Sequence, residues 1–272
     1  MSTNNKGDIY EARVYKQYQQ LKLVPAGFSP PKPGGHGIDC KLFLNNYNYM
    51  TPMNSKEKNR GQGAIVGIEL KFNELADFGQ SGVRYNNTWE LHGKNDDVSR
   101  EKRALLKAAG AEQIIRREWA SKGIPNIRKG MSSTKVSEKG RQEDKNRFSG
   151  KGEIDYSSNV FSNLCAKYYI SKQCPYINIS SHGLYHFGTD PIGLAKLGVK
   201  NFVTSTDMRL RVRLKPSGAN SLSFNASLKI NNITASPINL DDTYFADQLQ
   251  EDAMMCRNAP SDLALLRSIL GI

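Results

Sequence analysis

The run Ala64-Ile-Val-Gly-Ile-Glu-Leu-Lys-Phe72 is made of β-branched and aliphatic residues interrupted by one carboxylate and one ammonium. That composition predicts a strand. Side chains alternate across a strand, so Glu69 and Lys71 share one face, while Ile68, Leu70 and Phe72 point to the other. Burying a charge is costly unless it is paired or holds a metal. An apolar strand that carries both Glu69 and Lys71 therefore calls for a chemical reason.

Upstream, Ile38-Asp-Cys-Lys-Leu-Phe-Leu44 is a second β-like run, so that Gly-Ile-Asp-Cys-Lys at 37–41 mirrors Gly-Ile-Glu-Leu-Lys at 67–71. Two strands joined by a long hairpin are expected, with residues 45–63 as a polar connection whose tip carries Lys56, Lys58 and Arg60. If Asp39 has the orientation of Glu69, two carboxylates and one amine converge. Before this pair, residues 8–22 place Tyr10, Val14, Tyr18 and Leu21 on one helical stripe. The Pro- and Gly-rich stretch 25–37 between them is a loop.

Beyond the pair, residues 97–122 read as helix, with Asp96 and Asp97 at the start, Gly110 as a break and Gly123 as the stop. Residues 128–151 carry eight basic and three acidic side chains and few apolar ones, the pattern of a mobile surface loop able to order on a phosphate backbone. A helix near 158–171, strands at Tyr176-Ile-Asn-Ile-Ser and Gly183-Leu-Tyr-His-Phe, and longer strands at 201–215 and 221–230 follow. From Asp241 the chain again reads as helix, with Leu263, Leu266 and Leu270 on a stripe.

Phosphodiester hydrolysis suits the Asp39, Glu69 and Lys71 set. The attacking water must lose a proton and the transition state gathers negative charge. Carboxylates hold Mg²⁺, a hard cation that prefers oxygen ligands. On these residues the chain resembles the PD-(D/E)xK nuclease superfamily, which includes many type II restriction endonucleases. The resemblance covers Asp39, the triplet Glu69-Leu70-Lys71 and the strand, loop, strand context between them. It departs from the family where Ile38 replaces the proline before the aspartate, and where 30 residues separate Asp39 from Glu69.

The resemblance implies an α/β fold with a restriction-endonuclease-like core, a mixed central β-sheet flanked by helices. It implies that Asp39, Glu69 and the Leu70 carbonyl hold Mg²⁺, for which Mn²⁺ substitutes, and that Lys71 assists the nucleophile. Some members add a glutamate from the first helix, and Glu11 is placed to serve. The expected protein is one nuclease domain over 1–272, with a catalytic core at about 1–125 and recognition and dimerisation elements at about 126–272. Sequence-specific cleavage of double-stranded DNA by a homodimer is the expected activity. The alternatives are a structure-specific or recombination/repair nuclease of the same fold, or a non-catalytic DNA-binding protein.

The totals agree with a polyanion partner: 38 Lys and Arg against 26 Asp and Glu leave +12. In Asp207-Met-Arg-Leu-Arg-Val-Arg-Leu-Lys215 the guanidiniums of Arg209, Arg211 and Arg213 alternate with apolar residues, giving a strand with one cationic face. That row fits phosphates or guanine edges, or else a solvated face whose arginines pair with carboxylates. Gln80 and Arg84, shortly after the Glu69 strand, are further DNA-contact candidates. No apolar run reaches membrane-spanning length and Met1–Asp8 has no signal-peptide core, so a soluble, cytoplasmic protein is expected. The four cysteines form no C-x-x-C pair and read as reduced thiols. Gly61 and Gly63 lack the Lys-Ser/Thr of a phosphate loop, and Ser181-His182 has no nucleophile elbow.

Overall fold

The structure, a computed structural model, describes residues 6–20, 24, 27–29, 38–44, 64–131, 133–191, 193–216 and 221–240. The expected hairpin tip at 45–63, Leu21 of the first helical stripe and the helix beyond Asp241 lie outside the described residues. The chain is α/β, with one mixed and one antiparallel-paired sheet flanked by helices. No helix among the described residues is long and apolar enough to cross a membrane.

Two compact units share the chain without dividing it in sequence order. The first comprises Met1–Glu74, Ala166–Thr206 and Ile233–Ile272; the second comprises Leu75–Cys165 and Asp207–Asn232. Each therefore draws on residues from both sides of position 125, where core and recognition elements were expected to part.

In the first unit, helix α1 (Lys6–Gln20) buries Tyr10, Val14 and Tyr18, as its stripe predicts. The sheet runs β1 (Cys40–Leu44), β2 (Ala64–Lys71), β6 (Tyr176–Ile179), β7 (Gly183–His186), β8 (Lys200–Asn201). β1 pairs antiparallel with β2, and β2 pairs parallel with β6. All four residues of β6 are buried, and so are residues 66–70 of β2. That is the signature of strands covered on both faces. Asn178, fully buried on β6, donates its amide to Tyr10 Oη at 2.8 Å and to Asn239 Oδ1 at 3.0 Å, and accepts from Leu240 N at 3.0 Å. One buried side chain thus ties α1 to the middle of the sheet, with every described polar atom of its amide engaged. Helix α5 (Phe161–Ser171) ends at Lys172 and Gln173, the latter with φ of 61°.

The second unit holds β3 (Phe78–Asn86), β4 (Thr88–His92) and β5 (Ile154–Ser157), together with the long strands β9 (Thr206–Pro216) and β10 (Leu222–Ile233), in the order β4-β3-β10-β9-β5. Period-two burial on β9 is as expected: Met208, Leu210, Val212 and Leu214 are buried and the arginines between them are not. Helices α2 (Asp97–Ala108) and α3 (Ala111–Glu118) are parted by Gly110 in the left-handed region, and Asp96 caps α2 by accepting from Ser99 N at 2.8 Å. Trp89, Trp119, Phe148 and Phe224 form an edge-to-face cluster with centroids 4.7–5.7 Å apart.

The stretch expected to be a mobile loop, 128–151, is instead organised around α4 (Glu138–Phe148). Two anchors explain the difference. Phe148 enters the aromatic cluster. Asp144, with no exposed surface, accepts from Asn126 N at 3.0 Å, Ile127 N at 2.9 Å and Arg147 Nη2 at 2.7 Å. Removing one partner from such a buried network leaves donors unsatisfied. Asp144→Ala is therefore expected to cost about 3 kcal/mol or more of unfolding free energy, read by urea denaturation. A loss under about 1 kcal/mol, the worth of a surface ion pair, would return this segment to the status of a loop.

Candidate functional site

The register of the first hairpin brings the predicted residues together. Cys40 stands opposite Ile68 and Lys41 opposite Gly67. Asp39, one residue before β1, therefore comes opposite Glu69, and pairing across an antiparallel ladder puts both on one face of the sheet. Lys71 shares that face by alternation. Phe72 departs from expectation: it lies past the strand end and is 37% exposed, meeting the edge of Tyr10 at 6.0 Å.

Both carboxylates are buried, Glu69 at 4% and Asp39 at 9% exposure. Asp39 Oδ2 accepts the backbone N–H of Leu70 at 2.9 Å. Each oxygen of Glu69 meets an ammonium: Lys71 Nζ donates to Oε1, and Lys172 Nζ donates to Oε2 at 3.1 Å. The Tyr169 ring lies beneath both amines, with Nζ of Lys71 at 5.7 Å and of Lys172 at 5.0 Å from its centroid. Glu11, on α1 next to the anchored Tyr10, lies within electrostatic range of Asp39, Glu69 and Lys71.

Lys172 did not stand out in the sequence, being 103 residues from Glu69. A lysine just past a helix end is ordinarily a solvated charge, and nothing local marks this one. The structural cue is Gly67. A Cβ there would stand 2.3 Å from the Gln173 carbonyl oxygen. Glycine on β2 thus lets the chain after α5 settle against the strand and carry Lys172 onto Glu69.

Three carboxylates against two ammoniums leave an excess of negative charge in a dry place, and the proton affinities show where it goes. Burial pushes Glu69 up, but the ammoniums of Lys71 and Lys172 outweigh it and hold the carboxyl below its ordinary range. Lys71 is pushed down by burial and more strongly up by Glu69 and Asp39, so it is firmly an ammonium. Asp39 is pushed up to about 8 by burial, by the charge of Glu69 and by that of Glu11, against the pull of Lys71 and the Leu70 N–H. Burial also raises Glu11. Of the three carboxyls, Asp39 is thus the one whose surroundings most favour uptake of a proton.

The donors are all hard oxygens, and a cation's charge would offset the crowding that raises the proton affinity of Asp39, so the set suits a divalent ion such as Mg²⁺. Asp39 and Glu69 would hold it, with the Leu70 carbonyl and Glu11 beside them. Among the described residues no three His, Cys, Asp or Glu side chains stand as a ready-made metal cage. Each oxygen of Glu69 accepts from an ammonium, so a cation there would compete with Lys71 or Lys172. The described cysteines, Cys40, Cys165 and Cys174, are buried free thiols.

The five candidate DNA contacts belong to the second unit and share one face of its sheet. Gln80 donates to Asn225 Oδ1 at 3.2 Å and accepts from Lys215 Nζ at 3.1 Å. Asn225 pairs with Gly82, two residues before Arg84 on the same face. Alternation along β9 puts Arg209, Arg211 and Arg213 on the side of Lys215. Carboxylates take part of this charge: Arg84 pairs with Glu90 at 2.6 Å, Arg209 with Asp155, and Arg211 with Glu153 at 3.0 Å. Arg213 forms no ion pair among the described residues, and the buried Nε atoms of Arg209 and Arg211 have no acceptor there.

The proton on Asp39 has a consequence for stability. A carboxyl whose folded-state pKa lies above its unfolded value adds stability that is complete below the unfolded value and is lost as pH rises through the folded one. For Asp39 that window runs from 3.8 to about 8. Asp39→Asn keeps the shape and cannot ionise, so its melting temperature should climb relative to the parent protein's as pH rises across this window. A difference that stays flat with pH would mean that Asp39 carries its charge at neutral pH after all.

No protein-family model matches this chain, and neither the curated proteins nor the solved structures contain a match to it.

Proposed function

We propose that the protein is a metal-dependent endonuclease acting on double-stranded DNA, with the restriction-endonuclease-like core and homodimeric action that its Asp39 and Glu69-Leu70-Lys71 pattern implies. The observation that carries this reading is the convergence of Asp39, Glu69 and Lys71 on one buried face of adjacent strands. Soluble folds rarely place three carboxylates and two amines in such a setting without use for them.

Asp39 and Glu69 would hold Mg²⁺, or Mn²⁺ in its place, which supplies an activated water and neutralises charge at the reacting phosphate. Lys71, locked as an ammonium, is suited to stabilising negative charge on the phosphate oxygens rather than to taking a proton. Lys172 offers a second positive charge on the same carboxylate. The face of the Tyr169 ring lies beneath both amines and attracts their charge. The cationic sheet face with Arg84, Arg209, Arg211 and Arg213 is the favoured surface for the phosphate backbone, and its net charge would speed encounter with DNA.

A second reading has an observation of its own. Both oxygens of Glu69 already have ammonium partners, the arrangement of a structural ion cluster in a DNA-binding protein that does not cut. Incubation of the full-length protein with supercoiled plasmid and Mg²⁺ or Mn²⁺ separates the two. Cleavage is expected from the parent, with Glu69→Gln and Lys71→Gln slower by about 10²–10³-fold and DNA binding retained. Binding without cleavage in either metal would favour the structural cluster, and cleavage at the parent's rate by Glu69→Gln would place the chemistry elsewhere.

Lys172 gives an independent handle. Lys172→Met removes an ammonium that competes for Glu69 Oε2, so Mn²⁺ should bind the variant at least about tenfold more tightly by calorimetry, one charged contact being worth roughly 1.5–3 kcal/mol. Equal or weaker Mn²⁺ binding would speak against the cation entering at Glu69.

A further inference from the structure

A cation at Glu69 competes with two ammoniums, and the two are held differently. Lys71 emerges beside Glu69 on the same strand and lies within electrostatic range of Asp39 and Glu11 as well. The carboxylate acting most on Lys172 is Glu69, through the contact of 3.1 Å to Oε2. Lys172 also keeps 18% of its side chain exposed, against 5% for Glu69, so solvent reaches this ammonium far more readily than the carboxylate it holds.

The backbone that carries Lys172 is fixed. Its N–H donates to Tyr169 O at 3.1 Å, that of Gln173 to Ile170 O at 2.9 Å and that of Cys174 to Tyr169 O at 3.0 Å, so three consecutive residues are tied to the end of α5. Motion at this position therefore belongs to the side chain, an ammonium on a long, flexible stem. Two rings confine it: Lys172 Nζ stands 5.0 Å from the centroid of Tyr169 and 5.7 Å from that of Tyr168. Tyr169 is itself stacked on Phe187, with centroids 5.3 Å apart and planes inclined by 9°. An ammonium that leaves Glu69 stays within the attraction of these ring faces. It has lost its counter-charge, however, and a largely buried cation without one is costly.

We propose that Lys172 is a phosphate ligand with two positions: it pairs with Glu69 in the cation-free site, and with a phosphate oxygen of the bound DNA once a divalent cation has taken Glu69. The inference deepens the nuclease reading and rests on it. A DNA phosphate beside the cation offers the charge-assisted hydrogen bond that Glu69 gave up, so the ammonium changes partner without being left unpaired. Cation and DNA then strengthen each other's binding, by the same factor in both directions. A lysine that only neutralises Glu69 has no such effect, and one that only touches DNA contributes with or without a cation.

The test is the affinity of the full-length protein for a short fluorescein-labelled duplex, read by anisotropy at constant ionic strength. It is measured in EDTA and in Ca²⁺ at a concentration that saturates the parent by calorimetry, Ca²⁺ being a hard cation that takes oxygen ligands as Mg²⁺ does. Gel electrophoresis checks that the duplex stays intact. Lys172→Met should bind the duplex as the parent does in EDTA and at least about tenfold more weakly in Ca²⁺. Lys172→Arg, which keeps a cation at this position, should recover most of the difference. Equal weakening in both solutions, or none in either, would overturn the proposal. A second measurement needs only the parent protein: the rate at which an acetylating reagent modifies Lys172, read by mass spectrometry, should rise on addition of Ca²⁺ and fall when duplex follows. A rate indifferent to both additions would also sink the idea. If plasmid is cut in Mg²⁺ or Mn²⁺ while these results go against Lys172, the change of partner alone fails. If Ca²⁺ does not bind and neither Mg²⁺ nor Mn²⁺ supports cleavage, the nuclease reading falls and takes this inference with it.

Discussion

Glu69 sits where a charge is least welcome, on a strand buried along residues 66–70 and paired on both sides. An isolated carboxylate in such a place would protonate. Its ionised state is kept by two ammoniums, and each of those imposes a demand on the fold. Lys71 is delivered by alternation along β2 itself. Lys172 comes from the far end of α5, and reaches Glu69 because residue 67 lacks a Cβ. Removal of one partner from a buried ion pair typically costs about 3–5 kcal/mol, so glycine at 67, lysine at 172 and the Tyr169 ring beneath are bound to the requirement of one carboxylate.

Asp39 resolves the remaining charge in a different way. Among the described residues it accepts one backbone N–H, from Leu70, and it faces Glu69 and Glu11, so burial and these charges favour its neutral form against the pull of Lys71. Two facing carboxyls thus differ in proton affinity, Glu69 lowered and Asp39 raised, because of what surrounds them. The difference gives the cluster a defined place for added positive charge. In the second unit the imbalance is reversed: among the described residues, guanidiniums on one sheet face exceed what Glu90, Glu153 and Asp155 neutralise, and Arg213 has no ion pair while the Nε atoms of Arg209 and Arg211 have no acceptor.

The parts of this arrangement that were legible in the sequence are those governed by local period. Alternation along 206–216 and the stripe of Tyr10, Val14 and Tyr18 are written into consecutive residues, and so is the shared face of Glu69 and Lys71. The pairing of Asp39 with Glu69 followed from one assumption about the hairpin, which the register satisfies. Three features were hidden because they depend on contacts distant in sequence. Charge density along 128–151 masks the one acid, Asp144, whose buried bonds to residues 126 and 127 organise the segment. Lys172 looks like any solvated lysine past a helix end until the gap at Gly67 is seen. The interleaving of two units comes from strand partnerships such as β3 with β10 and β2 with β6, which no local pattern announces. Carboxylate partners for the arginine row were foreseen as one of two outcomes; Arg209 and Arg211 have them, and Arg213 has none among the described residues.

The proposed chemistry requires a cation between the two facing carboxylates. Crystals of the full-length protein soaked in Mn²⁺ and measured at the manganese absorption edge test this most directly. An anomalous peak between the carboxyl groups of Asp39 and Glu69, with the Lys172 ammonium withdrawn from Glu69, is the expected result. A structure in which Mn²⁺ avoids these residues while both ammoniums stay on Glu69 would contradict it.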